Sequence, residues 1–335
     1  MKDKILVTGG LGFIGSNFIA SLEKLNIEVD IIDNLSNSSE TVFTNLTEYV
    51  SFPLRLHKID LIDKDELSNF FDKNKNFSKV VHFAGLKSVA ESLKKPLSYF
   101  KNNFIGTQNL LTEMLRNNIT KIIFSSSATI YGNPLSLPID ENHELKPINP
   151  YGDSKLAAEN LFKNIAMQYK NFSCISLRYF NPIGAHRSLI FGDFNNKPEN
   201  LIPLICRSIK ENGKGINILG SDYDTPDGTG IRDYIHVNDL VNAHIKALSY
   251  LDKQKGFIPI NLGSGKGFSV LEIISNFEKV NNVKINRNFV GRRQGDVASV
   301  YTDTKKAYEL LNWKAKLSLE SMLSDSWNFF KKRVN

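Results

Sequence analysis

The first half of the chain alternates short apolar, β-rich runs with longer amphipathic stretches, and that alternation leaves few folds open. KILVTGG is followed by the helix-like SNFIASLEKL, then EVDIIDN, and later KVVHFAG and KIIFSSS. The pattern predicts an α/β protein built on a doubly wound parallel sheet flanked by helices. The near-continuous apolar character of the runs fits strands buried on both faces. Beyond about residue 180 the pattern loosens into Pro- and Gly-punctuated loops such as FNPIGAH and GSDYDTPDGTGIRD, which predicts a second, smaller, ligand-facing mixed α/β lobe.

GGLGFIG places Gly9, Gly12 and Gly15 at three-residue spacing, directly after one predicted strand and directly before a predicted helix. A dinucleotide fingerprint needs that context: glycine for the tight turn, bare backbone where a pyrophosphate approaches, and a helix N-terminus facing its charge. An ordinary strand-to-helix turn could use the same glycines. The next run, EVDIIDN, ends in Asp33, eighteen positions after Gly15, where a carboxylate can accept hydrogen bonds from adenosine ribose hydroxyls and repel a 2′-phosphate. Asp33 could instead cap a turn with Asn34 and Ser36. Together the two features point to NAD rather than NADP.

Tyr151 and Lys155 form a Y-x-x-x-K pair at the head of the helix-like run SKLAAENLFKNIA, just after Pro147 and Pro150. Spacing of i, i+4 stacks both side chains on one helix face. A free tyrosine, with a pKa of about 10, is a poor base at neutral pH, but a nearby ammonium and a cationic nicotinamide would both favour the phenolate. Upstream, KIIFSSSATIYG ends a predicted strand with Ser125, Ser126 and Ser127, at the carboxyl edge where ligands sit in such sheets. Ser125 and Ser126 are read as making local turn hydrogen bonds, and Ser127 as the catalytic hydroxyl.

With residues 9–15, 125–132 and 151–155 read, the chain resembles the extended short-chain dehydrogenase/reductase superfamily and, within it, the UDP-glucose 4-epimerases. The resemblance continues through DNLSNS at 33–38, HFAGLKSVAES at 82–92, LRYFNPIGAH at 177–186, DGTGIRDYIHVNDL at 227–240 and GRRQGD at 291–296. It implies a Rossmann-like NAD-binding domain over 1–180, to which a segment near 231–265 returns, and a UDP-sugar-binding lobe over most of 181–335. It also implies NAD contacts from Phe13, Ile14, Asp33, Asn34, Asp60, Leu61, Phe83, Ala84, Gly85, Lys87, Asn103, Tyr151, Lys155 and Phe180. Nucleotide-sugar contacts are implied for Ser127, Tyr151, Asn181, Asn200, Leu201, Arg232, Arg293 and Asp296. Arg232 and Arg293 can fork onto a diphosphate and Asn181 can hydrogen-bond it, although surface salt bridges would also account for the arginines.

The implied reaction inverts carbon 4 of a UDP-hexose by oxidation and re-reduction. Tyr151 as phenolate takes the 4-hydroxyl proton while the hydride passes to NAD. Ser127 holds or relays that proton, and Lys155 lowers the tyrosine pKa and grips the nicotinamide ribose. The keto sugar then turns about its phosphate linkage and takes the hydride back on its other face, so NAD is regenerated and should stay bound. The related 4,6-dehydratases carry Asp-Glu where this chain has Ala128 and Thr129, so elimination lacks its proton carriers; Thr129 also stands where the related sugar-acid decarboxylases carry an acid. In the family, the residue four positions after the aspartate of RRxGD flanks the sugar 2-substituent. Ungapped counting from Asp296 gives Val300, small enough to admit an N-acetyl group, so UDP-GlcNAc and UDP-GalNAc are expected substrates beside UDP-glucose and UDP-galactose. A misregister of one residue would put Tyr301 there and reverse that expectation. Two other readings stay open: a different NAD-dependent nucleotide-sugar epimerase or dehydratase, and a silent NAD-binding scaffold. The scaffold has no use for Tyr151, Lys155 and paired arginines.

The net charge of +7 could suggest nucleic acid, but the lysines are scattered and no basic stripe is interleaved with aromatics, so no nucleic-acid partner is expected. No apolar run approaches the ~20 residues that span a bilayer, so no membrane partner is expected either. MKDKILVTGG runs straight into the strand-and-turn pattern, which places the expected start of the fold at about Met1 with no export signal. Two cysteines, Cys174 and Cys206, each in an apolar stretch, predict buried packing in a reducing, cytoplasmic compartment. Asp222, Asp224 and Asp227 superficially suggest a calcium loop, but Pro226 interrupts the ligand pattern and a polar turn is expected. His82 and His236 are read as satisfied core residues, and no metal is assigned. The resemblance implies a homodimer packed through helices of the first lobe.

Overall fold

Six strands form along the first 180 residues: β1 (Asp3–Thr8), β2 (Ile27–Ile32), β3 (Leu54–His57), β4 (Lys79–His82), β5 (Lys121–Ser127) and β6 (Ser173–Tyr179). They are followed by β7 (Asn181–Ile183), β8 (Ile216–Leu219), β9 (Ile231–His236), β10 (Gly256–Leu262), β11 (Gly267–Ser269), β12 (Arg287–Val290) and β13 (Ser299–Val300). The computed structural model describes residues 3–23, 25–193, 198–211 and 214–334. Met1, the expected start of the fold, lies outside the described residues.

The main sheet has the order β10-β6-β5-β4-β1-β2-β3. β1 runs parallel to both β2 and β4, β2 to β3, and β4 to β5. This is the doubly wound, Rossmann-like order, and the strand order reverses between β1 and β4, where such sheets bind ligands outside their carboxyl ends. Strands β4 and β6 are buried along their whole length, as expected of strands covered by helices on both faces. On one face, Phe124, Phe162 and Phe172 pack in series, with ring centroids 5.1 and 6.5 Å apart.

The chain divides into two compact units. The first comprises 1–132, 145–178 and 241–260; the second comprises 133–144, 179–240 and 261–335. In the second, β9 is central to a small sheet of order β11-β9-β13, β7 also pairs with β9, and β12 and β8 form a parallel ribbon. Ile205, Ile273, Ile274, Phe277 and Leu323 are fully buried in its core. The helix Val270–Asn281 starts at a capping box in which Ser269 and Glu272 exchange side-chain bonds to each other's backbone. No helix among the described residues is long and apolar enough to cross a membrane.

One buried charge makes the first unit sensitive to acid. Asp30 on β2 has a fully buried side chain and ion-pairs with Lys4 at 3.1 Å and Arg55 at 2.7 Å. Burial alone would raise its pKa, but His57, Arg55 and Lys4 outweigh it and hold the carboxyl at about 2. Because the folded pKa lies below the unfolded value, this group's contribution of about 2 kcal/mol is present above pH ~4 and is lost as pH falls towards 2. Asp30→Asn should therefore flatten the fall in unfolding free energy between pH 4 and 2, read by urea titration at each pH. An unchanged slope would show that Asp30 is not the group responsible.

Candidate active site

In the first unit the candidate residues gather where β1, β4 and β5 end. Gly9 adopts φ +67°, and a methyl there would come within 2.5 Å of the Ala84 nitrogen, so only glycine lets the turn lie against the end of β4. Gly12 opens the helix Phe13–Ser21, which has no side-chain cap and no acid in its first turn, leaving its amide donors for an anion. A methyl built on Gly12 would meet only the Gly9 carbonyl, at 3.4 Å, so the ground above the helix start is open to a close approach. Phe13 and Ile14 form the first helical turn, and the Lys87 ammonium lies 5.9 Å from the Phe13 ring centroid.

Asp33 makes a local turn, as the sequence allowed, and braces the glycine turn as well. It accepts the amide of Leu35 and the hydroxyl of Ser38, a local turn, and its other oxygen accepts the Leu11 amide of the glycine turn at 3.0 Å. A carboxylate offers about four acceptor positions, so one remains for a ribose hydroxyl. Asn34 donates to Asp60 at 3.0 Å, and the buried Leu61 accepts the Asn109 amide through its carbonyl. Phe83 packs against Phe18 and His244. These features fit an NAD-type dinucleotide: an uncapped helix start for the pyrophosphate and an acid at the end of β2 for the ribose. Phe180 belongs to the second unit, where its amide donates to the Leu262 carbonyl.

The helix Pro150–Gln168 begins at Asn149, whose side chain accepts the Gly152 amide at 2.9 Å, and Pro150 takes the first helical position. That start puts Tyr151 and Lys155 on its first two turns. A methyl on Gly152 would come 2.8 Å from the Thr129 carbonyl oxygen, so glycine brings this turn against the segment that follows β5. Lys155 is buried; its ammonium donates to the Ser125 carbonyl at 2.8 Å and lies 4.9 Å from the Phe124 ring centroid. Gly85 and Asn103 converge on it, since a methyl on Gly85 would come 3.0 Å from Asn103 Oδ1 and 3.3 Å from Lys155 Nζ. Asn103 is itself fixed by bonds to Leu86 and Ser154. Burial pulls the Lys155 pKa down to about 8, with the Glu159 charge opposing.

Ser127 accepts two hydrogen bonds from Thr129, from its amide at 3.2 Å and its hydroxyl at 2.9 Å. With both lone pairs occupied, Ser127 keeps its proton free to donate. Burial raises the Tyr151 pKa and the Ser127 hydroxyl lowers it. The brake on that rise is therefore Ser127; the Lys155 ammonium is directed to the Ser125 carbonyl. The reading of Ser125 and Ser126 as turn residues is corrected. Both lie within β5, Ser125 contributes the carbonyl that anchors Lys155, and the buried Ser126 hydroxyl has no hydrogen-bond partner. His82, buried between Thr8 at 2.6 Å and Thr107 at 2.8 Å, is pushed down to about 3 by burial and by Lys155, and so stays neutral.

In the second unit, Arg293 forks onto Asp296 at 3.0 and 2.8 Å, and Arg232 lies 3.9 Å from the same carboxylate. Val300 on β13 is in register with Arg232, and Asn181 on β7 with Tyr234. Because strand side chains alternate, Asn181, Arg232 and Val300 share one face of the small sheet. Tyr301 takes the opposite face, its ring 3.1 Å from where a methyl on Gly267 would lie. Asn200 precedes the helix Leu201–Lys210 without capping it, and lines a shallow recess with Pro182 and Cys206. Asp222 pairs with Arg292 at 2.7 Å, and Asp227 accepts Thr229 and Ser269. Arg292 and Tyr223 join this cluster, the guanidinium 4.4 Å from the ring centroid; the doubled arginine of GRRQGD was the one signal for it in the sequence.

An uncapped helix after a glycine turn, an acid ending the second strand and a Ser/Tyr/Lys set with its lysine buried define a dinucleotide-dependent protein of the short-chain dehydrogenase/reductase kind. Residues 5–263 match the NAD dependent epimerase/dehydratase family, and the chain belongs to it. It is 42% identical to the UDP-glucose 4-epimerase of Dictyostelium discoideum over 98% of this chain and 96% of the relative. The fold is similar to that of UDP-glucose 4-epimerase from Bifidobacterium longum, solved with NAD+ and UDP, with a TM-score of 0.95 and 40% identity over 99% of both chains. It is also similar to the UDP-Glc/GlcNAc 4-epimerase of Campylobacter jejuni, with a TM-score of 0.85 and 36% identity over 98% of this chain and 99% of that one.

Proposed function

We propose that this protein is an NAD-dependent UDP-hexose 4-epimerase that interconverts UDP-glucose with UDP-galactose and UDP-GlcNAc with UDP-GalNAc. The observation that carries this reading is the head of the helix Pro150–Gln168, which sets Tyr151 and the buried Lys155 beside the end of β5, where Lys155 donates to the Ser125 carbonyl and Ser127 lowers the Tyr151 pKa. Similarity to epimerases over nearly the whole chain supports the same reaction.

Bound NAD supplies a hydride acceptor and a positive charge beside the phenol. Tyr151 takes the proton of the sugar 4-hydroxyl and returns it when the inverted alcohol forms. Ser127, its lone pairs occupied by Thr129, acts as a donor that stabilises the phenolate rather than as a relay. Lys155, anchored on the Ser125 carbonyl beside Asn103 and Gly85, grips the cofactor ribose. Arg232, Arg293 and Asn181 hold the diphosphate, with Asn200, Leu201 and Asp296 contributing to the nucleotide-sugar site. With Thr129 committed to Ser127, no acid stands there for elimination, which favours epimerase over dehydratase.

The N-acetyl substrates rest on Val300, which is in register with Arg232, while Tyr301 faces away. Exposed apolar residues on first-unit helices, Leu97, Phe100, Ile105 and Met167, support a homodimer formed through them. Cys174 and Cys206, both buried and free, support a reducing cytoplasmic location.

The test is to incubate the purified protein with UDP-glucose and, separately, UDP-GlcNAc, without added NAD, and to resolve the 4-epimers by chromatography. Both should be converted. Conversion of UDP-glucose alone rejects the role of Val300 and leaves the mechanism standing. No conversion of either, even after NAD is added, rejects the epimerase reading.

A further inference from the structure

Tyr223 carries a polar atom that packing does not explain. Its side chain is only 7% exposed, yet its hydroxyl is buried without a hydrogen-bond partner. A buried hydroxyl left unpaired is destabilising, so its presence asks for a reason. Nothing in the ring's packing role needs the hydroxyl: Arg292 stacks on the ring face, itself pinned by Asp222, and phenylalanine would serve as well.

The surroundings say what would satisfy it. Arg232, Arg292, Arg293 and Asp296 all act electrostatically on the phenol, and Asp296 is engaged by Arg293. Three guanidinium groups against Asp222 and Asp296 leave the cluster net positive. A guanidinium can only donate, and the phenol, its pKa pushed up by burial and by Asp296, keeps a proton to donate. A cluster rich in donors is completed by an anion with several acceptor oxygens. The backbone holds the ring in place, because the Tyr223 amide donates to the Gly228 carbonyl at 3.0 Å and its carbonyl accepts Thr225 at 2.8 Å.

We propose that Tyr223 is a further nucleotide-sugar-binding residue whose hydroxyl donates to a diphosphate oxygen gripped by Arg232 and Arg293. The assignment rests on the UDP-sugar reading given above and adds to it a neutral donor among charged ones.

Titrating UDP into the NAD-loaded protein by calorimetry tests it, with Tyr223→Phe against wild type and thermal unfolding of both. Loss of one hydrogen bond to a charged group should weaken the Kd of Tyr223→Phe for UDP about 10–100-fold, with an unchanged or higher Tm. Binding within twofold of wild type overturns the proposal. Weakened binding with a lower Tm also overturns it, since the hydroxyl would then be structural. Wild-type protein that does not bind UDP would instead overturn the UDP-sugar reading itself, and this assignment with it.

Discussion

Replacing Tyr151 by Phe is expected to slow interconversion of UDP-glucose and UDP-galactose by about 10²–10⁴-fold, the usual worth of a positioned general base. The loss should fall on kcat, because the ring still fills its place and only the proton-accepting atom is gone. Retained NAD, read from the absorbance of the protein after release of its cofactor, and an unchanged Tm would separate this from a folding defect. A variant within tenfold of wild type would mean that another group takes the proton, and Ser127 could not readily do so with both lone pairs engaged by Thr129.

The largest loss of stability is expected from Glu159→Ala. Glu159 lies one helical turn beyond Lys155, is 2% exposed, and is held by Arg178 at 3.1 and 2.7 Å and by Ser176 at 2.7 Å. Arg178 also donates to the Tyr131 hydroxyl at 2.8 Å. Removing the carboxylate strands a buried guanidinium, which costs about 3–5 kcal/mol, measurable by urea unfolding. The paired change Glu159→Leu with Arg178→Met should recover most of that, because the buried pair itself offsets little more than its own desolvation. A single variant within about 1 kcal/mol of wild type would show that water reaches Arg178 and satisfies it.

What could be read from the sequence was what lies close along the chain. The glycine turn, Asp33 after the second strand and the Tyr151–Lys155 spacing each encode geometry within one strand-turn-helix unit, and the structure builds the turn and the helix head as expected. Long-range partnerships were another matter. The meeting of Arg232 with Arg293 and Asp296 came only through family resemblance, because it brings together segments some sixty positions apart. Glu159 with Arg178 left no local trace at all, and Tyr223 with Arg292 left only the doubled arginine of GRRQGD. Ser125 and Ser126 were misread because serines near a strand end look like turn formers, whereas β5 runs through them to Ser127. Thr129 was used only as a missing acid; its hydroxyl turns out to fix which way Ser127 points.

The division of the chain has a consequence for its synthesis. The first unit is closed by residues 241–260, which bring Asp252 to Lys79 at 2.9 Å and to Lys121 at 2.7 Å. A nascent chain emerging from the ribosome therefore holds strands β1 to β6 for some time before the piece that finishes their sheet has been made. During that interval β6 is an unpaired edge, the kind of surface that templates aggregation. Residues Ser173–Tyr179 are buried along their whole length in the finished sheet, so the yield of folded protein should depend on what shields that edge until β10 arrives.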